Sequence, residues 1–263
     1  MNTRRRDFIS ELMWAGLALG SVIAGWQLVV EIGLVSREVL PAPADVVIGV
    51  VGMISPRPVI LYHLGHSLER LLLGYSLAMV VGIGAGLVLG MNRTAYGAAY
   101  PILSLLVPLP TLAWVPLLLI LIGIGDRTII LAIFLGAFFP MVYTTMNGVR
   151  GVKKEFIWAA QSMGAGPLTV FVRVLMPGSL LSIVTGSRIA IGYSWRALVG
   201  AEMLAATSWG LGYLIYAARS FYDVRSMFVG LGLIALGGYL MDRVVMGWVQ
   251  RRTLNRWGMI SGE

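Results

Sequence analysis

The sequence predicts an all-α protein that crosses a membrane six times. Of its 263 residues, 58% are hydrophobic and only 12% are charged, and the mean hydropathy is +0.84. A soluble domain would carry about twice that fraction of charge, so lipid must solvate most of this chain. A membrane-spanning helix needs about 20 mostly apolar residues. Six stretches meet this requirement: 12–30, 70–91, 99–122, 128–147, 180–205 and 227–248.

The basic residues predict the orientation of these spans, because cytoplasmic loops carry an excess of lysine and arginine. One alternate set of connections holds eleven: Arg4, Arg5, Arg6, Arg93, Arg150, Lys153, Lys154, Arg173, Arg251, Arg252 and Arg256. The other set holds five: Arg37, Arg57, Arg127, Arg219 and Arg225. We therefore expect both termini and the 148–179 loop to be cytoplasmic. Tails at 1–11 and 251–263 would flank a transmembrane domain at 12–250.

The N-terminal arginines have a second interpretation. Arg5 and Arg6, followed by Asp7, Phe8 and Ile9, resemble a twin-arginine export signal. Because five more spans follow, a basic flank that anchors the first span on the cytoplasmic side is the favoured interpretation.

The second span carries small residues at a spacing of four. Gly74, Ala78, Gly82, Gly86 and Gly90 recur at this interval. In lipid, helices associate through close backbone contact at small residues. The spacing predicts a groove along one face of this helix, into which another helix packs.

The third span contains the sequence PLPTLAWVP, with prolines at 108, 110 and 116 around Trp114. Proline removes a backbone donor and clashes with the preceding turn, so this helix should be kinked or broken. Broken membrane helices occur where they are buried in protein or line a cavity. Pro110 and Trp114 are therefore candidates for the lining of a pathway, and a static kink is the alternative.

Several kinds of chemistry are not indicated by the sequence. There is no phosphate-binding G-x-x-x-x-G-K-[ST] loop and no cysteine. His63 and His66 lack a third metal ligand at a suitable spacing. The net charge of +8 would favour nucleic acid in a soluble protein, but here the charges flank membrane spans. No catalytic residue, metal site, cofactor or nucleic-acid partner is predicted for this chain.

The 150–179 loop predicts a helix–turn–helix on the cytoplasmic face. A short helix has Glu155 near its start, contains Ala159 and Ala160, and ends at Gly164, which suits a left-handed terminator. Ala165 follows, and Pro167 suits the first turn of a new helix. The small residues leave a shallow surface where side chains of another protein could insert.

This loop resembles the signature of the membrane subunits of bacterial ABC importers, E-A-A-x3-G-x9-I-x-L-P. The segments 40–46, 66–90, 109–126 and 194–215 look like the nitrate, sulfonate, taurine and bicarbonate branch of that family. Trp158 departs from the usual glutamate. The matched positions are Trp158, Ala159, Ala160, Gly164, Val174, Met176 and Pro177.

The resemblance implies a six-helix type I importer permease in the bacterial inner membrane, working as a homodimer. Two partner ATPase subunits would bind ATP and Mg²⁺ and receive the coupling helix of this loop. A periplasmic binding protein would deliver a small anion of the taurine, alkanesulfonate, nitrate or bicarbonate class to the opposite face. The chain itself would not be an enzyme.

Charged residues inside the fifth span are candidates for the translocation pathway. Arg196 lies midway along it and Glu202 lies six residues later, so the two do not share a helix face. An unpaired arginine facing a cavity could attract an anionic substrate. The alternative is that Arg196 pairs with Asp242 or another helix. Arg188 is expected to be a snorkelling or structural residue.

Two other classes of function compete with the importer hypothesis. An ion-coupled secondary transporter would need an inverted repeat and buried carboxylates, and neither is evident in the sequence. A membrane scaffold would not need the coupling signature. The importer hypothesis is therefore preferred.

Overall fold

The computed structural model describes residues 2–55 and 58–254. Within these ranges every regular element is helical. The α-helices are α1 Asn2–Glu31, α2 Pro43–Ile54, α3 Val59–Met91, α4 Arg93–Leu106, α5 Trp114–Ile122, α6 Asp126–Arg150, α7 Lys154–Ser162, α8 Pro167–Val170, α9 Met176–Ala205, α10 Leu211–Ser220, α11 Val224–Tyr239 and α12 Gly247–Leu254. A single 3₁₀ turn, Thr111–Ala113, precedes α5. Wider π-helical turns at Phe171–Leu175 and Leu240–Met246 join α8 to α9 and α11 to α12.

Four helices in the described residues are long and apolar enough to cross a membrane. They are Val59–Met91, Asp126–Arg150, Pro167–Ala205 and Val224–Thr253, which contain the predicted second, fourth, fifth and sixth spans. The first predicted span, 12–30, falls in α1, whose apolar part Gly16–Glu31 is shorter than 18 residues. The tail boundaries predicted at 11 and 251 fall inside α1 and α12. Arg57, Arg256 and the tail from 255 lie outside the described residues.

The third predicted span is broken, as the prolines indicate. Arg93–Leu106 and Thr111–Ile122 meet at an angle of 88°. The break contains Pro108 and Pro110, which lack the backbone N–H that a continuous helix would need. This confirms the prediction of a kinked or broken helix.

Helices α3 and α6 pack side by side and run parallel. A methyl group added at any of four glycines of α3 would lie 2.6 to 3.1 Å from a side chain of α6. Each partner lies the same number of positions further along the chain, as only parallel helices allow. The pairs are Gly74 with Ile133, Gly82 with Met141, Gly86 with Thr145 and Gly90 with Val149.

The parallel arrangement shows what the broken third span does. The chain leaves the end of α3 at Met91 and enters the start of α6 at Asp126. Since these two points lie at opposite ends of a parallel helix pair, the bent pair between them crosses the full thickness of the bundle. The predicted third span is therefore a complete crossing rather than a re-entrant loop.

Helix α6 forms the centre of this part of the bundle. On a face next to the α3 contact it packs antiparallel to α9, where Gly148 faces Ser182, Gly186 faces Thr144 and Gly136 faces Ala197. Buried residues therefore occur all round α6 rather than on one stripe. The innermost apolar side chains of α6 are Ile129, Ala132, Ile133, Ala137, Met141 and Met146, all fully buried.

The chain forms two compact units, one of residues 1–61 and 214–232 and the other of residues 62–213 and 233–263. In the larger unit, Trp195 of α9 packs on Gly237 and Gly238, and its indole N–H donates to the Ile234 carbonyl at 3.2 Å. In the smaller unit, the Trp26 and Phe228 rings lie 5.5 Å apart.

Candidate functional site

The loop that follows α6 is built around one short helix with a well-defined end. Helix α7, Lys154–Ser162, has Glu155 in its first turn, where a carboxylate interacts favourably with the positive end of the helix dipole. It ends in a Schellman motif: the Gly164 N–H donates to the Gln161 carbonyl at 2.9 Å, and the Ala165 N–H donates to the Ala160 carbonyl at 3.0 Å. Gly164 has φ +81°, so the expected left-handed terminator is present.

Several apolar side chains of α7 are exposed beside the polar residues Glu155 and Ser162, although α7 is not a membrane span. Phe156 is 62% exposed, Trp158 59% and Met163 82%. Ala159 is also exposed, whereas Ala160 is buried inside the loop. The structure therefore presents one of the two signature alanines to the outside, and the other supports the turn. Large exposed apolar surfaces of this kind mark binding sites for other proteins.

The larger unit also holds a buried cluster of charges, near the C-terminal end of α9. Glu202 of α9 is fully buried, and its carboxylate accepts hydrogen bonds from Ser67 at 2.8 Å, Arg70 at 2.9 Å and the Gly212 N–H at 2.9 Å. Arg70, itself only 4% exposed, also binds Asp126 at 2.8 Å. A buried charge is tolerated only when it is paired and hydrogen-bonded in this way.

This cluster fixes the segment that follows α9. Arg70 donates to the Trp209 carbonyl at 2.6 Å, and the His63 ring nitrogen lies 2.8 Å from the Gly210 carbonyl oxygen. Gly210 has φ +148°, and a side chain there would collide with the Glu202 carboxylate. Residues 206–212 are thus held against α3 by Glu202 and Arg70 together.

The placement of Glu202 bears on two sequence-based expectations. The sequence suggested no buried carboxylate, and the structure contains one, neutralised by Arg70. Glu202 was also a candidate pathway residue, but both of its oxygens are engaged by protein donors. Its pairing with Arg70 is difficult to see from sequence. The signal available was an arginine and a serine one turn apart at the edge of an apolar span.

A second charged cluster lies on α9 nearer its middle. Arg188 forms a two-point ion pair with Asp242, at 2.7 and 2.9 Å, and both side chains are nearly half exposed. Asp242 therefore pairs with Arg188 and not with Arg196, contrary to the alternative considered from sequence. Arg196 is exposed and lies 5.8 Å from the Tyr193 ring. It forms no ion pair within the part of the chain whose side chains are described. A cleft of about 490 Å³ lies between these groups.

The family of the chain is shown by comparison with known proteins. Residues 78–255 match the family described as "Binding-protein-dependent transport system inner membrane component". The chain belongs to this family of transport permeases.

Named relatives agree with this assignment. The permease is 35% identical over 228 residues to the taurine transport system permease protein TauC of Escherichia coli (strain K12), covering 85% of this chain and 82% of that protein. It is 32% identical over 185 residues to the bicarbonate transport system permease protein CmpB of Synechococcus elongatus, covering 70% and 66%. The fold resembles an inward-facing MetNI methionine ABC transporter, with a TM-score of 0.63, 20% identity, and 74% and 96% coverage.

These findings confirm the predicted fold class, an all-α importer permease of the ABC type. An ion-coupled secondary transporter, the alternative from sequence, has no support from the family. Among the described residues, no group of three or more histidine, aspartate or glutamate side chains is arranged to hold a metal ion.

The broken span of the permease packs on α6 and α9. Pro110 is exposed at the break, and Trp114 is partly buried with its ring 6.1 Å from that of Phe139. Leu112 fills the space opposite Gly200 of α9. The break therefore lies against α6 and α9, and the lining of a pathway by Pro110 or Trp114 stays a prediction.

Proposed function

We propose that this permease forms half of the membrane pathway of an ATP-driven importer for a small oxyanion. The substrate class is supported by relatives named for taurine and bicarbonate. A sulfonate, nitrate or bicarbonate carries one negative charge spread over several oxygens, which the planar fork of an arginine binds well. Arg196, exposed beside a cleft and without an ion-pair partner in the described chain, is the proposed contact.

The exposed face of α7 is the observation that carries the coupling part of the proposal. Phe156, Trp158, Ala159 and Met163 offer exposed apolar side chains, with Glu155 and Ser162 beside them, on a loop that ends in the turn at Gly164. An ABC ATPase subunit would bind this surface, and ATP with Mg²⁺ would bind to the ATPase. Trp158, where the family usually has glutamate, would then contribute apolar contact rather than a salt bridge.

The proposed arrangement places the loop and both termini in the cytoplasm, as the excess of lysine and arginine favours. Two copies of the chain would enclose the pathway between them, surrounded by lipid. A substrate-binding protein would dock on the opposite face. ATP binding would draw the two α7 helices together and switch the dimer between inward and outward openings.

Substitution of Ala159 tests the coupling surface. Ala159→Glu places a charge at the centre of the apolar face, so the complex should lose at least tenfold in substrate uptake while the permease still inserts. The measurement is ATP-driven uptake into proteoliposomes that contain the permease and its ATPase, with the binding protein supplied on the extracytoplasmic side. Ala44→Glu, which adds the same charge at an exposed alanine in the first turn of α2, is the matched control. Normal uptake by Ala159→Glu would refute the docking surface.

Substitution of Arg196 tests the substrate contact. Arg196→Ala should reduce uptake of the transported anion about tenfold, the effect of losing one charge-assisted hydrogen bond. Arg196→Lys, which keeps the charge, should retain more activity. Uptake is compared for taurine, ethanesulfonate, nitrate and bicarbonate, with methionine as a control of a different class. Loss of the assembled dimer in Arg196→Ala would indicate a structural role instead.

A further inference from the structure

A second Schellman motif ends α10, and it has an unusual residue at its critical position. The Tyr222 N–H donates to the Arg219 carbonyl at 3.1 Å, and the Asp223 N–H donates to the Ala218 carbonyl at 2.9 Å. This places Tyr222 where glycine is normally found. Its φ is +56°, and among the described residues no other non-glycine residue has a positive φ.

The strain at Tyr222 is not offset by contacts that the side chain makes in the folded chain. A bulky residue in the left-handed region is disfavoured because its Cβ crowds the backbone. Tyr222 is 90% exposed, and the neighbouring Phe221 is 84% exposed. Two aromatic rings therefore project from this turn, where glycine would fold more easily. Strained residues of this kind often carry a function.

The surroundings of the turn favour a protein partner over lipid. Tyr222 borders a cleft of about 680 Å³ in the smaller unit. The charged residues that line this cleft are Arg37, Glu38, Asp45, Asp223 and Arg225. Three carboxylates disfavour phosphate headgroups, and charges of both signs disfavour acyl chains. A protein surface with an apolar depression bordered by charges of both signs would match the turn and the cleft together.

The position of the turn in the chain indicates which protein. Phe221 and Tyr222 lie between the fifth and sixth spans, one crossing after the α7 loop, and so on the extracytoplasmic face in the proposed topology. The family depends on a binding protein. We infer that Phe221 and Tyr222 form an aromatic contact on which the substrate-loaded binding protein docks. This inference rests on the proposed function.

The experiment distinguishes the effect of the tyrosine ring on binding from the effect of the strained backbone on stability. Tyr222→Gly and Tyr222→Asn remove the ring and relieve the strain, so thermal stability should be equal or higher. Tyr222→Phe keeps the ring and the strain. The affinity of the binding protein, loaded with the anion transported best, is measured on permease–ATPase complexes in nanodiscs. The glycine and asparagine variants should bind at least about tenfold more weakly, and the phenylalanine variant within about twofold of wild type.

Three outcomes would overturn the inference. Unchanged affinity in Tyr222→Gly would show that the ring does not contact the binding protein. Strong quenching of Tyr222→Trp fluorescence by brominated lipids would place the residue in the membrane interface. Dissociation of the dimer in Tyr222→Gly would identify a second copy of the chain as the partner. Failure of the wild-type complex to transport any anion would instead refute the proposed function.

Discussion

Two stretches of α3 are held in the bundle by different kinds of contact. Ser67 and Arg70 make directional hydrogen bonds to a buried carboxylate, a carbonyl and Asp126. From Gly74 to Gly90, the same helix contacts α6 through van der Waals packing, in which the glycines make the closest approaches and larger side chains such as Met79 and Leu89 pack beside them. The first stretch fixes the geometry through polar contacts. The second packs on α6 without a side-chain hydrogen bond to that helix among the described residues, and its Tyr75 hydroxyl donates to the Ser187 carbonyl of α9 at 3.0 Å.

The difference shows which contacts determine the position and orientation of a helix that packs in lipid. Helix association in lipid gains little from the hydrophobic effect, so packing of small residues supplies the contact and polar groups supply the orientation. A buried ion pair adds little net stability relative to apolar residues, but removal of one partner is costly. The polar stretch should therefore be the more sensitive to single substitutions.

The largest expected effect is the loss of Glu202. Glu202→Ala removes the carboxylate at the centre of the cluster and leaves Arg70, among the described residues, with Asp126 as its one carboxylate partner. The free energy of unfolding should therefore fall by about 3–5 kcal/mol. Unfolding is measured by denaturant titration in mixed micelles. Glu155→Ala, which removes an exposed carboxylate, is the control. Glu202→Leu combined with Arg70→Met should recover part of the loss, and failure to recover would mean that the ion pair itself supplies net stability.

A smaller effect is expected in the glycine stretch. Gly86→Ala would bring a methyl group within 2.6 Å of Thr145, so the two helices must separate at a cost of about 1–3 kcal/mol. Gly84→Ala is the matched control, since a methyl group there meets nothing within 4 Å. It should be neutral or slightly stabilising, because alanine is the better helix former. Equal losses in both variants would show that the α3–α6 contact is not tightly packed.

The smallest effect is expected at the exposed ion pair. Asp242→Asn breaks the contact with Arg188, but both side chains are nearly half exposed, so the loss should be within about 1 kcal/mol. The same titration is used, with Asp223→Asn of the α10–α11 turn for comparison. A loss as large as that in Glu202→Ala would mean that the second copy buries this pair in the assembled dimer.

The features that follow from local sequence could be predicted. The broken third span follows from its prolines, and the end of α7 follows from Gly164, because each depends on residues within a few positions. The glycines of α3 indicated a close helix contact, but they could not identify α6 as the partner.

The features that depend on distant residues could not be predicted. Arg70 and Glu202 are far apart in sequence, and nothing local shows that Glu202 points inward. The two signature alanines look equivalent in sequence, and only the turn of α7 exposes Ala159 and buries Ala160. The turn at Tyr222 was hidden because it lacks the glycine that normally marks it.

The length of the helix that begins at Pro167 has a mechanical consequence. Its 39 residues, continuous to Ala205, make a rod of about 58 Å, roughly twice the thickness of the hydrocarbon core. The α7 loop is attached at one end of this helix, and the hydrogen bonds of Glu202 hold the other end in place. A displacement of about 5 Å at the free end of such a lever tilts it by about 5°, which moves every side chain along it in proportion to its distance from Glu202. Arg188, farther from Glu202, would then move more than Arg196.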